Sequence, residues 1–458
     1  MPVWMYILTI ICVVISYMTM GIYYLWMYFM AFFPKVQYCE ELEYKEDEMD
    51  IHFFVVIPCL NEEGVIVNTV RNTLDSKMKN LRIIVIDDDS EDETVARLTE
   101  AFGDEIFSVD SSTPFRPEFC NKKLTLIKRY KPDAQKGKGR SLNVAYWWIR
   151  NVAEHEGLKL SRCIMAITDA DSFVNRRVFE RTAVIMHTDP TVGMVQTRVR
   201  IGTFTRDRFL PLFQDIEFFT YINNMQNVCE YIGTVSAAGN GQFNRMSAID
   251  PEEPWTDCLL EDFDFSLRLL LKGWRTRLLQ EDRVFQQGVL TYGSFLRQRS
   301  RWSQGGLQCL TYWNEVKNSR YLSTYGKIYA VFFMILPIIT LLAAFSQVIS
   351  WFIFIYFLST KQSILFSWFT LFPTWELVVV FGLITLFVFA PGLMYAVMYY
   401  KDTKENLLVC ILAGIFQPIY NLLQVPAVLI AVWRQMTGKT NWVKTEHHEE
   451  VGRRIKHR

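Results

Sequence analysis

The stretch 163-CIMAITDADSF-173 decides how this 458-residue chain is read. Cys163 to Ile167 form a short, dense apolar run of the kind that makes a buried strand. Asp169 and Asp171 follow where that strand should reach solvent. Carboxylates beside a core are costly to leave unpaired, so this strand end should face something that takes up negative charge. In an extended segment residues i and i+2 point the same way, so both carboxylates could address one object. An exposed turn is the plainer alternative.

Upstream, the same grammar repeats. FFVVI (53–57) reads as a strand ending at Pro58. NEEGVIVNTVRNTL (61–74) follows as a helix, with Asn61 as its cap and Glu62 and Glu63 in its first turn. LRIIVID (81–87) is a second buried-type strand, running into Asp87, Asp88 and Asp89. SEDETVARLTEAF (90–102) reads as a helix capped by Ser90 and Asp89. LTLIK (124–128) is a third strand, and Lys138 precedes the helical SLNVAYWWIRNVAEH (141–155). Strands alternating with helices imply a parallel sheet covered on both faces. Ligands of such sheets bind beyond the carboxyl ends of the strands. Those ends carry Asn61, Glu62, Asp87, Asp88, Asp169 and Asp171.

Lys+Arg and Asp+Glu both number 48, which gives no electrostatic footprint for a nucleic-acid partner. Half of the residues are hydrophobic, and they are not spread evenly. Residues 2–33 hold no charge, enough for one long membrane-spanning helix. They lack the basic start and small-residue cleavage site of a signal peptide. Further apolar stretches lie at about 328–358, 365–399 and 406–433. The expected layout is an N-terminal transmembrane helix (1–33), a cytoplasmic domain (34–326), a C-terminal transmembrane region (327–433) and a basic tail (434–458). Lys35 after the first span, the Lys/Arg-rich central domain and the tail GRRIKHR read as cytoplasmic, with the amino terminus outside. One span plus three would put the tail outside, so either 406–433, broken by Pro418 and Pro426, is partly re-entrant or interfacial, or a longer stretch hides a further crossing. The nine cysteines form no CxxC pair, which argues against zinc.

Two later motifs add chemistry. LLEDFDF begins a helix at Glu261 and Asp262; acids there complement the helix dipole, and one in a cleft can act as a general base. RQRSRWSQGGL (297–307) combines Gln298, Arg301 and Trp302. Trp with Arg offers a stacking face and a cation, although a helix lying on a membrane surface has the same composition. The natural object for Asp169 and Asp171 is a hard divalent cation, Mg²⁺ or Mn²⁺.

In order, VVIPCLNEE, VIDDDSEDET, GKGRSLN, TDADS, GNGQFNR, LED and QRSRW resemble the membrane-embedded, often processive type of family-two glycosyltransferase. That group includes cellulose, hyaluronan, poly-N-acetylglucosamine and bacterial β-glucan synthases. The resemblance covers roughly residues 50–310. It implies an α/β GT-A glycosyltransferase domain with a mostly parallel sheet, embedded between transmembrane α-helices. It implies that Pro58, Asn61 and Glu62, with Asp88 or its neighbour Asp87, hold the uridine, and that Lys138 lies near the nucleotide. Asp169 and Asp171 correspond to the DxD pair that binds diphosphate and Mg²⁺ or Mn²⁺. Asp262, beside Glu261, corresponds to the catalytic base. Gln298, Arg301 and Trp302 match QxxRW, with Trp302 against the acceptor sugar and Arg301 near the diphosphate. Gly241 and Gln242 fall where the family lines the acceptor site. Two positions depart from the pattern: Asp89 stands for a commoner Gly, and Leu260 for the Thr of TED. The implied activity is inverting transfer of a hexose from a UDP-sugar, UDP-glucose by preference, to a growing β-linked polysaccharide that is also secreted. The alternative is a non-processive enzyme making a glycolipid such as glucosyldiacylglycerol. The implied location is a multi-pass cell membrane protein with a cytoplasmic catalytic domain. Its partners would be the UDP-sugar, a glycan or lipid acceptor and membrane lipid, with no partner subunit assigned.

Overall fold

The computed structural model describes residues 3–36, 44–202, 208–359 and 374–441. Its centre is an eight-stranded sheet in the order β3-β4-β2-β1-β5-β7-β6-β8. The strands are β1 (His52–Cys59), β2 (Leu81–Asp88), β3 (Ile106–Asp110), β4 (Leu124–Arg129), β5 (Cys163–Ile167), β6 (Val192–Ile201), β7 (Gln242–Arg245) and β8 (Arg275–Gln286). β1 pairs in parallel with β2 and β5, and β2 and β3 pair in parallel with β4. β7 is antiparallel to β5 and β6, and β8 runs parallel to β6. The parallel α/β sheet read from the sequence is therefore present. The sequence reading covers β1, β2, β4 and β5 and lacks β6, β7, β8 and the edge strand β3, whose IFSVD is half-exposed and has no dense apolar run.

β1 and β5 lie mid-sheet and are buried on both faces, which is why they read as unbroken apolar runs. On one face Phe53 meets Phe179 and Phe243 edge-on, at ring separations of 5.3 and 6.2 Å. Phe54 and Val56 point to the other face, where the helix Lys138–Glu156 and the first helix, Val3–Phe32, complete the core.

Two expected caps differ. The first crossover helix runs Ile66–Leu74 and does not begin at Asn61. Asn61 has φ 51° and instead ties two loops together: its N–H donates to Ser90 Oγ (2.9 Å), and its Oδ1 accepts from Glu91 N (2.7 Å). The helix Thr94–Phe102 has Glu93 at its N-cap with no side-chain cap bond, and Asp92 Oδ1, just before it, accepts from Thr94 N at 3.0 Å. Ser90 is engaged by Asn61, and Asp89 turns toward Lys131 at 3.8 Å, so neither is free for the helix end.

After β8 the helix Tyr292–Gln308 leads to the apolar helices Thr324–Ser359, Thr374–Thr403, Leu407–Leu423 and Val425–Met436. Among the described residues two helical stretches, Thr324–Ser346 and Leu407–Met436, are long and apolar enough to cross a membrane. Pro418 sits inside its helix, while Pro426 occupies the first turn of the next, where its missing N–H costs nothing. The break falls at Gln424. Gly392 and Gly414 bring two of these helices together: a β-carbon on Gly392 would stand 2.2 Å from Gly414 O. The tail motif GRRIKHR lies outside the described residues.

Two buried ionic clasps tie the elements together, one from sheet to helix and one between helices. Arg200 is bidentate to Asp215 (2.7 and 2.8 Å), which also accepts from Tyr399 OH (2.6 Å). Arg299 is bidentate to Glu217 (2.9 and 2.6 Å), which accepts from Tyr420 OH (2.7 Å). Buried charges persist only when paired and hydrogen-bonded, as these are.

Candidate active site

Lys138 is the hub. As the first residue of the helix Lys138–Glu156 it sends Nζ to Asp169 Oδ1 (2.6 Å) and Gly239 O (2.7 Å). Burial alone would lower its pKa, but the surrounding Asp169, Glu261 and Asp262 outweigh that and raise it. Asp262 closes the group: a β-carbon on Gly239 would stand 3.0 Å from Asp262 Oδ2 and 3.7 Å from Lys138 Nζ. Gly239 has φ 72°, so both conformation and space require glycine. Burial and the neighbouring Glu261 push the Asp262 carboxyl up to about 7, against the opposing pull of Phe263 N–H and Lys138. A carboxylate with that affinity for protons suits a general base at neutral pH.

Asp169 and Asp171 do not continue β5 as an extended pair. Ser172 N donates to Asp169 O at 3.0 Å, which closes a turn over Asp169–Ser172. The two carboxylates are aimed by different partners: Asp169 meets Lys138, and Asp171 Oδ2 accepts from Gln287 N at 2.7 Å. Asn240, fully buried, fixes the turn. Its Oδ1 accepts from Asp169 N (3.3 Å) and Ser172 Oγ (2.9 Å), and its Nδ2 donates to Gln286 Oε1 (2.7 Å). Sequence reasoning had reached GNGQFNR and singled out Gly241 and Gln242 while passing over Asn240 and Gly239. A polar side chain between two glycines was the available signal. Asp169, Glu261 and Asp262 all act on the single Lys138 ammonium, with Asp171 on the same turn as Asp169. That excess of oxygen donors and negative charge fits a hard divalent cation.

The strand ends β1 and β2 stand beside this centre. Burial raises the pKa of both Asp87 and Asp88. Asp88 is committed: it is ion-paired with Arg129, and its Oδ2 accepts from Gln135 N at 2.9 Å. Asp87 accepts from Ser90 N at 3.3 Å and has Cys59 Sγ at 3.9 Å. Pro58 pairs within β1 opposite Ile86, and Glu62, buried, donates its N–H to Thr94 Oγ1 (2.8 Å).

The helix Tyr292–Gln308 docks on the Glu261–Asp262 segment. Gly305 lies against Leu260, and Leu259 N donates to Gln308 Oε1 at 2.8 Å. Gln298, Arg301, Trp302 and Gly305 recur at helical spacing, so the QxxRW side chains share the face that meets Leu260. Trp302 is held between Phe218, 6.3 Å away edge-on, and Arg299, whose guanidinium lies 4.6 Å over its ring. Leu260, the departure from TED, is thus a packing residue.

Gly241 also has a positive φ, 64°, and receives Thr197 Oγ1 at its carbonyl (3.0 Å). Gln242 is fully buried in β7 with Nε2 on Asn244 Oδ1 (2.9 Å), so it offers no surface to an acceptor. Cys258, Asp264 and Cys309 place their ligating atoms within 4.8 Å of one another. Asp264 there is already taken by Tyr312 OH, Thr256 Oγ1 and Arg268 Nε at 2.9, 3.0 and 2.9 Å, which fits a structural role.

Residues 164–401, more than half of the chain, match the model of glycosyl transferase family group 2, and residues 54–250 match glycosyl transferase family 2. The chain belongs to this family. Among curated relatives, the β-monoglucosyldiacylglycerol synthase of Trichormus variabilis is 28% identical over 58% of this chain and 51% of its own. The poly-β-1,6-N-acetyl-D-glucosamine synthase of Staphylococcus aureus is 25% identical over 60% of each. The chain thus spans about half the length of the first of these relatives. A solved mannosyltransferase from Pyrobaculum calidifontis, in complex with GDP-Man and Mn²⁺, superposes over 95% of this chain and 99% of its own, with TM-score 0.57 and 15% identity. The shared architecture is the GT-A type with a mostly parallel sheet.

Proposed function

We propose that this protein is an inverting, membrane-embedded glycosyltransferase that moves a hexose from a UDP-sugar, UDP-glucose by preference, to an acceptor hydroxyl at the cytoplasmic membrane surface. The observation that carries this reading is the convergence of Lys138, Asp169, Gly239 and Asp262 on one point. Asp262 takes the proton of the acceptor hydroxyl, whose oxygen attacks the anomeric carbon as the bond to UDP breaks. A single displacement turns an α-linked donor into a β-linked product. Asp169 and Asp171 would hold Mg²⁺ or Mn²⁺, which when bound neutralises charge on the departing diphosphate. Lys138 and Arg301 add fixed positive charge on that side. Asp87 is the better placed of the two acids to receive the nucleoside, because Asp88 is committed to Arg129. Trp302 offers its face to the acceptor. The apolar helices flanking the domain support the multi-pass membrane location.

Two acceptors fit. The stronger likeness to glucosyldiacylglycerol synthases favours a membrane lipid. The motif order through QRSRW and the likeness to a poly-N-acetylglucosamine synthase support a growing β-linked polysaccharide. Labelled product from purified protein, UDP-glucose and Mn²⁺ separates them. A small product that enters organic solvent establishes the lipid acceptor; a long product sensitive to β-glucanase establishes the polymer. Turnover of UDP-N-acetylglucosamine alone would overturn the donor preference.

A further inference from the structure

β6 carries Arg198 and Arg200, two residues apart and so on one face of the sheet. β8 sets Arg283 in register directly beside Arg198. Like charges directly opposite across strands are destabilising. Lys35, just past the first helix Val3–Phe32, senses both Arg198 and Asp402, and Asp402 lies in the last turn of the helix Thr374–Thr403.

Most of these cations have partners. Arg200 is held by Asp215 and reaches Asp402 at 3.0 Å. Arg283 donates to the same Asp402 oxygen at 2.7 Å and lies 5.8 Å over the Phe285 ring. Arg198 is different. Among the described residues it makes no hydrogen bond or ion pair, and its Nε is buried without a partner. The nearby Asp282 is bound to Arg181 at 3.1 Å. Burial, then Arg283, push the Arg198 guanidinium down to about 10, an unfavourable setting for an arginine. Four cations, Lys35, Arg198, Arg200 and Arg283, thus share two carboxylates, Asp215 and Asp402. A guanidinium fork matches phosphate oxygens bidentately.

We propose that Arg198, Arg283 and Lys35 form a binding site for a phosphate group, supplied by the headgroup of an anionic phospholipid. The choice of lipid as the source rests on the membrane reading above, because Lys35 and Asp402 stand at the ends of long apolar helices.

Thermal unfolding of the purified full chain in neutral detergent tests this, with dihexanoyl-phosphatidylglycerol, dihexanoyl-phosphatidylcholine or inorganic phosphate added. Phosphatidylglycerol should raise Tm while phosphatidylcholine and phosphate do not. In Arg198→Gln the half-saturating concentration should rise on the order of tenfold, as expected for the loss of one charged hydrogen-bonding group. Without lipid the variant should melt no lower than the wild type, since Arg198 has no hydrogen-bond or ion-pair partner among the described residues; a lower melting temperature would mark a merely structural residue and count against the site. Equal responses of variant and wild type to phosphatidylglycerol, or no response of the wild type, would overturn the proposal. An equal shift with inorganic phosphate would overturn the lipid source. Resistance of the protein to extraction from membranes by alkaline carbonate tests the membrane reading separately.

Discussion

Gly305 lies so close to Leu260 that a β-carbon there would stand 2.3 Å from Leu260 Cβ and 2.4 Å from its backbone nitrogen. This contact sets the distance between the QxxRW helix and the Glu261–Asp262 segment. Gly305→Ala should force the two apart, costing about 1–3 kcal/mol of stability and lowering kcat/KM for sugar transfer by roughly tenfold. Gly306→Ala is the control: its β-carbon would meet only Phe333 O at 3.8 Å, an ordinary contact, and activity should persist.

The Asp262 carboxyl, held up to about 7, gives a pH prediction with a definite sign. A general base must be deprotonated, so kcat/KM should fall as pH drops below about 7. Stability moves the other way. A folded-state pKa above the unfolded value means that the folded protein binds the proton more tightly, so stability falls as pH rises from about 4 to about 7. Asp262→Asn removes that penalty and should melt a few degrees higher than the wild type at pH 8. A pH-independent rate between 5 and 8 would count against Asp262 as base.

Chelation offers a test of the acids around Lys138. EDTA should abolish transfer, and Mn²⁺ or Mg²⁺ should restore it. Asp169→Asn should keep the fold while the metal concentration needed for half-maximal rate rises on the order of tenfold or more. Full activity of the wild type in EDTA would exclude the metal role given to Asp169 and Asp171.

The Glu217 clasp should matter to stability more than to chemistry. Glu217→Ala leaves Arg299 buried and uncompensated and takes the acceptor from Tyr420, a loss of about 3–5 kcal/mol. It should be seen as a lower melting temperature in detergent. Because Arg299 also lies 4.6 Å over Trp302, acceptor KM should rise in the same variant.

Much of the sheet was legible because β1, β2, β4 and β5 are buried on both faces and therefore form dense apolar runs. β3 was hidden because an edge strand needs no such run. The motif acids were visible as residues, but their aim was not. The extended reading of Asp169 and Asp171 failed because a turn closed by Ser172 N–H follows the strand at once. Asn61 looked like a helix cap; its left-handed backbone and its bonds to the neighbouring loop are long-range facts that local pattern does not carry. The same holds for Asn240 and Gly239, whose importance comes from chain segments some 70 to 100 residues away.

The most direct test is transfer by Asp262→Asn with labelled UDP-glucose and Mn²⁺, read as labelled product and free UDP, beside UDP binding measured by calorimetry. The expected result is loss of transfer by about 10²-fold or more, with UDP bound as tightly as by the wild type. Transfer at the wild-type rate in that variant would contradict the assignment of this site.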